Sequence, residues 1–150
     1  MNEIDKLMAV MDAAFDPHWR EAWTRTQVEG SLALPHTYAI LCNAQGDAVA
    51  PNEEAAGFVL ARRAPGEEEL LLVAVHPHHR GKGLGRHLLE QFFESARNGG
   101  AEQVFLEMRA NNPAEQLYRA VGFEPICRRP AYYRTLDGDA LDAITFGRKL

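Results

Sequence analysis

The spacing of apolar residues changes period several times along the chain, and each change marks an element. Ile4, Leu7, Met8, Met11 and Phe15 recur at three- and four-residue intervals. That spacing lines one face of a helix, which is predicted over 4–15. Asp16-Pro17 ends it, because the residue before a proline disfavours α geometry. A second amphipathic helix is predicted over 20–32, closed by Pro35. Short β-prone runs follow at 37–43, 55–62 and 70–76. The last of these, Leu70-Leu71-Leu72-Val73-Ala74-Val75, is apolar throughout and reads as a buried strand. Pro65-Gly66 is a turn signal that joins the second and third runs as an antiparallel hairpin.

A helix is predicted over 84–97, stopped by Asn98-Gly99-Gly100. A strand over 102–108 carries Val104, Leu106 and Met108 on alternating positions. Asn112 as N-cap and Pro113 as first helical residue open another helix that stops at Gly122. Stretches 123–128 and 140–146 read as closing strands. No repeat, linker or low-complexity segment interrupts this order. It predicts a mixed α/β fold in one domain over 1–150.

A chain of 150 residues is long enough to bury one core. Its net charge of −5 argues against a nucleic-acid partner, which would need a basic face to meet phosphates. No apolar run is long enough to span a bilayer, so no membrane partner is expected. The first residues show no basic and apolar leader pattern. Cytoplasmic localisation is therefore expected. Cys42 and Cys127 stand far apart, without the neighbouring cysteine a zinc pair needs. Both fall in apolar strand-like stretches and are expected as buried free thiols. His76, His78, His79 and His87 lie close in sequence with no carboxylate among His76–His79, and no metal site is expected there. Glu67-Glu68-Glu69 reads as a solvated hairpin turn.

The chemistry concentrates where the buried third strand runs into Arg80-Gly81-Lys82-Gly83-Leu84-Gly85-Arg86 and then a helix. The first N–H groups of a helix lack intrahelical partners, and the helix dipole adds partial positive charge there. Together they form a site suited to a pyrophosphate. The Walker spacing is absent. The glycines are evenly spaced and follow a hairpin past mid-chain, which does not fit a dinucleotide fingerprint. The loop alone leaves two readings open, a phosphate site and a helix cap without a ligand.

Arg80-Gly81-Lys82-Gly83-Leu84-Gly85 resembles the acetyl-CoA motif Arg/Gln-x-x-Gly-x-Gly/Ala of the GCN5-related N-acetyltransferase (GNAT) family. Asn111-Asn112-Pro113-Ala114-Glu115-Gln116-Leu117-Tyr118, followed by Gly122-Phe123, is similar to that family's second block. The chain most resembles the ribosomal-protein-alanine N-acetyltransferase (RimI-like) type. The carriers are Leu106-Glu107-Met108-Arg109, Arg128-Arg129-Pro130-Ala131-Tyr132-Tyr133 and Asp142-Ala143.

The resemblance implies a mixed, mostly antiparallel sheet flanked by helices, with two strands splayed at the acetyl-CoA site. It implies pantetheine along Val73, Ala74 and Val75. Pyrophosphate would lie on Gly81, Lys82, Gly83, Leu84, Gly85 and Arg86, with Arg80 adding charge and Asn111 contacting the cofactor arm. Glu107 is implied as the base, directly or through water, and Tyr118 as the acid. Against a thiol near ~8.5, a tyrosine near ~10 gives up its proton slightly uphill. Transfer then has to accompany thiolate formation, unless the site acidifies Tyr118. Tyr132 and Tyr133 either line the acceptor groove or pack. The implied acceptor is an amine, first of all a protein N-terminal α-amine. The alternatives are a lysine or small-molecule amine, or a non-catalytic acyl-CoA-binding module. Family members occur as monomers and homodimers, and both states stay open here.

Overall fold

The computed structural model describes residues 1–150. Helices α1 (Glu3–Ala14) and α2 (Arg25–Leu32) precede strands β1 (Thr37–Cys42), β2 (Gly57–Ala64) and β3 (Glu67–Val75). Then come α3 (Leu84–Asn98), β4 (Gln103–Arg109), α4 (Glu115–Ala120), β5 (Glu124–Arg134) and β6 (Ala140–Lys149). The strands form one sheet in the order β1-β2-β3-β4-β6-β5. Only β3 and β4 are parallel; every other pair is antiparallel. The expected mixed, mostly antiparallel sheet with flanking helices is what the chain forms.

Strand periodicity explains the two-sided core. On β2, Phe58 and Leu60 join Leu7, Val10 and Met11 of α1 and Val28 of α2 in one apolar cluster. Val59 and Ala61 join Leu88, Leu89, Phe92 and Phe93 of α3 in the other. Successive side chains of a strand point to opposite faces, so a strand covered on both sides reads as a continuous apolar run. Each such Phe or Leu stabilises the fold by roughly 2–3 kcal/mol.

One irregularity shapes the functional region. In the β2–β3 ladder Leu60 faces Leu72 and Ala61 faces Leu70, so Leu71 is an extra residue. A bulge of this kind bends its strand and increases local twist. Here β3 also leaves β4: their pairing ends at Leu70 opposite Leu106. Beyond that point the end of β3 stays on β2, with Val75 opposite Gly57. Glu107 to Arg109 stay on β6. The two strands diverge as a wedge, as the family resemblance implied.

Several expectations are corrected. The second helix begins at Arg25, not at 20. A 3-10 turn, Pro17–Trp19, ends with Arg20 in the left-handed region, and a capping box of Thr24 and Gln27 sets the later start. Asn112 accepts from the Ala114 N–H and closes a turn one step before α4, so it is not the helix cap. The three glutamates belong to β3; the turn is Pro65-Gly66 alone. Strand alternation carries Glu68 inward, where it is 2% exposed and accepts from Tyr38 Oη and Arg63 Nε. Cys42 is buried, but Cys127 is exposed, because β5 is an edge strand open along nearly its whole length.

Candidate active site

The wedge between β3 and β4 opens a cavity of about 830 Å3. Its walls are Leu71–Val75 of β3, Glu107–Arg109 of β4, Leu117 and Tyr118 of α4, and the segment from Phe15 to Trp23. Val73, Ala74, Val75, Arg80 and Gly85 of the expected cofactor set all line it.

Past Val75 the chain turns through Pro77–His79 and enters α3. Gly81 and Gly83 sit at φ +78° and +80°. That region costs a side chain roughly 1–2 kcal/mol, which glycine avoids. Gly83 is the N-cap of α3 and supplies no side-chain cap. The N–H groups of Gly81, Lys82, Gly83, Leu84, Gly85 and Arg86 meet no acceptor within the protein. Six donors without a protein partner thus gather at the positive end of a 15-residue helix. Leu84 offers only its backbone, because its side chain is in the core. Arg80 donates from Nε to the Val75 carbonyl at 3.2 Å and from Nη2 to the Ala14 carbonyl at 2.8 Å. Asn111 is exposed, at φ 66°, and lies outside the cavity lining; its neighbour Asn112 lines it instead.

Tyr118 reaches the wedge from α4. It is buried, with its ring edge-on to Phe123 at 5.9 Å. Burial, with the nearby negative charge of Glu21 adding to it, pushes the phenol well above its ordinary value. That direction is opposite to the acidification of Tyr118 that the sequence left open.

Glu107 and Arg109 share a face of β4 but take different partners. Glu107 accepts from Arg129 Nη2 and from Tyr133 Oη, the latter at 3.2 Å. Tyr133 is pushed up in turn, first by burial and then by the Glu107 charge. It lines the cavity, whereas Tyr132 is exposed and stacks under Arg129.

Arg109, 6% exposed, lies over the Trp19 ring at 3.7 Å and faces Glu21 Oε1 at 3.3 Å. Glu21 Oε2 accepts from Asn112 Nδ2. Burial raises the Glu21 carboxyl above the ordinary carboxylate range, and Arg109 opposes the shift. Trp19, Glu21, Arg109, Asn112 and Arg129 were not among the site residues expected from the sequence. The one local signal is Glu21 set between Trp19 and Trp23 in an otherwise polar stretch.

A family model described as an acetyltransferase (GNAT) domain matches residues 37–125. The N-alpha-acetyltransferase RimI of Mycobacterium tuberculosis is 35% identical over 122 residues, 80% of this chain and 73% of that protein. The crystal structure of the ribosomal-protein-S18-alanine N-acetyltransferase from Escherichia coli superposes with a TM-score of 0.81 at 24% identity. It covers 99% of this chain and 90% of that one. A Salmonella typhimurium acetyltransferase, yncA, solved with its cofactor acetyl-CoA, superposes with a TM-score of 0.59 at 28% identity over 66% of this chain and 60% of that one.

Proposed function

We propose, for a chain that belongs to the GNAT acetyltransferase family, that this acetyl-CoA-dependent N-acetyltransferase acts on the N-terminal α-amine of a protein, a ribosomal protein first among them. The names of its relatives support that acceptor. One observation supports the site: Gly85, in the run of unpaired amides at the start of α3, and Tyr118 line the same wedge, while residues 81–84 and Arg86 lie outside its lining.

Acetyl-CoA supplies an acetyl thioester. The amides of residues 81–86 would receive its pyrophosphate, and Arg80, bonded to the Val75 and Ala14 carbonyls, would add positive charge beside it. The β3 edge past Leu71, unpaired by any strand, offers backbone groups to the pantetheine amides. A backbone N–H near Val75 supports the charge that develops on the carbonyl oxygen.

Tyr118 stays protonated through neutral pH, so it acts as a hydrogen-bond donor to the departing sulfur. Full proton transfer from so weak an acid has to accompany C–S cleavage. Glu107, held by Arg129 and Tyr133, takes the acceptor's proton through a water. An α-amine near ~7.7–8 is already partly neutral at pH 7, whereas a lysine near ~10.4 is not, so an α-amine asks little of that base. A ribosomal-protein acceptor would be met in the cytoplasm, which agrees with the expected localisation.

Thiol release from acetyl-CoA tests the reading with three acceptors. They are a peptide beginning with alanine, the same peptide N-blocked but with free lysines, and a polyamine. Release with the first alone is expected. Release with only the polyamine would assign a small-molecule acceptor. Binding of acetyl-CoA without release from any acceptor would assign a non-catalytic module.

A further inference from the structure

We propose that Glu21 is the acceptor-binding residue of this enzyme: its carboxylate holds the incoming amine as an ammonium, in the cavity beside Tyr118 and opposite Glu107. The inference rests on the amine-acetylating reading above and assigns a binding role that Glu107 does not fill.

Glu107 is already committed. Its two oxygens accept from Arg129 and Tyr133, and Arg129 carries a full positive charge. Glu21 is differently placed. It reaches the cavity from the segment before α2, and its side chain keeps 25% of its surface. A carboxylate can accept about four hydrogen bonds, yet Glu21 receives one, from Asn112.

Arg109 does not satisfy the rest. Its Nε lies 3.3 Å from Glu21 Oε1, but this buried N–H makes no hydrogen bond. The guanidinium is instead stacked on Trp19 and donates from Nη1 to the Asn111 carbonyl. Glu21 therefore retains unfilled acceptor positions, although Arg109 stands beside it as a counter-charge. The raised carboxyl agrees: burial outweighs the help of Arg109. A cation entering the cavity supplies what is missing. Tyr118 and Tyr133 line the same cavity as Glu21, so an amine held there lies in the space these phenols share.

The test compares an alanine-initiated peptide with the analogue that carries a hydroxyl in place of the α-amine, as substrate and inhibitor. Wild type should favour the amine by about ten-fold or more, the range for a hydrogen bond between charged groups. In Glu21→Gln that preference should collapse. Peptide KM should rise by a similar factor, kcat should change less, and acetyl-CoA KM should hold. Glu21→Asp, with the charge drawn back by one methylene, should weaken the preference several-fold, and it decides the matter if the glutamine variant does not fold. An unchanged amine preference in either variant, or none in wild type, overturns the proposal. Wild type that fails to acetylate the alanine peptide refutes the α-amine reading itself. Wild type that acetylates it, with Glu21→Gln indistinguishable, sinks only the role of Glu21.

Discussion

Replacing Arg109 by alanine should loosen the segment from Phe15 to Trp23 and lower the stability of the whole domain. Arg109 is 6% exposed and holds three things at once: the Trp19 ring face, the Asn111 carbonyl and the charge of Glu21. Loss of the desolvated cation–π contact, of a charged hydrogen bond and of the counter-charge to half-buried Glu21 should together cost about 4 kcal/mol. For a chain of this length that is a fall in Tm of about 10 °C. Urea unfolding followed by tryptophan fluorescence reads both quantities, and Trp19 itself reports the lost contact. Pairing Arg109→Met with Glu21→Gln should recover about 2 kcal/mol relative to Arg109→Met alone, because no unpaired buried charge remains. A loss below about 1 kcal/mol in Arg109→Ala would refute the reasoning, since the segment would then be held by its other contacts. Those are Arg80 to the Ala14 carbonyl and the Leu136 N–H to the His18 carbonyl.

Tyr118→Phe should keep stability within about 1 kcal/mol, because the ring still packs on Phe123, while kcat falls about 100-fold or more for want of a donor to the sulfur; steady-state kinetics beside a thermal melt checks both. In an alkaline absorbance titration, Tyr38, Tyr118 and Tyr133 should ionise late, Tyr38 at about 12, each raised first by burial. The folded chain holds those protons more tightly than the unfolded one, so their contribution is intact below about pH 10 and is lost as pH rises beyond it. A disulfide reagent should label Cys127 at once in the native protein. Cys42, buried and pushed up to about 11, should label only on unfolding; two equally fast thiols would contradict the burial of Cys42.

The order of elements and the glycine loop were legible in the chain because each rests on local chemistry, and the second motif was legible through its resemblance to a family block. Apolar spacing, turn residues and glycines act within a few neighbours. Glu68 and Cys127 were not legible, because burial depends on which strands lie beside a residue. Glu68 turns into the core under Tyr38 and Arg63, while Cys127 sits on an edge that nothing covers. By itself the sequence determined the glycine-rich turn and the helix behind it, while Tyr118 stood out through the family resemblance. Only the tertiary structure decided where the wedge opens, through the extra residue at Leu71, and that Glu21 meets Arg109. Those two residues are 88 positions apart in the chain, and contacts at that separation leave no periodicity to read.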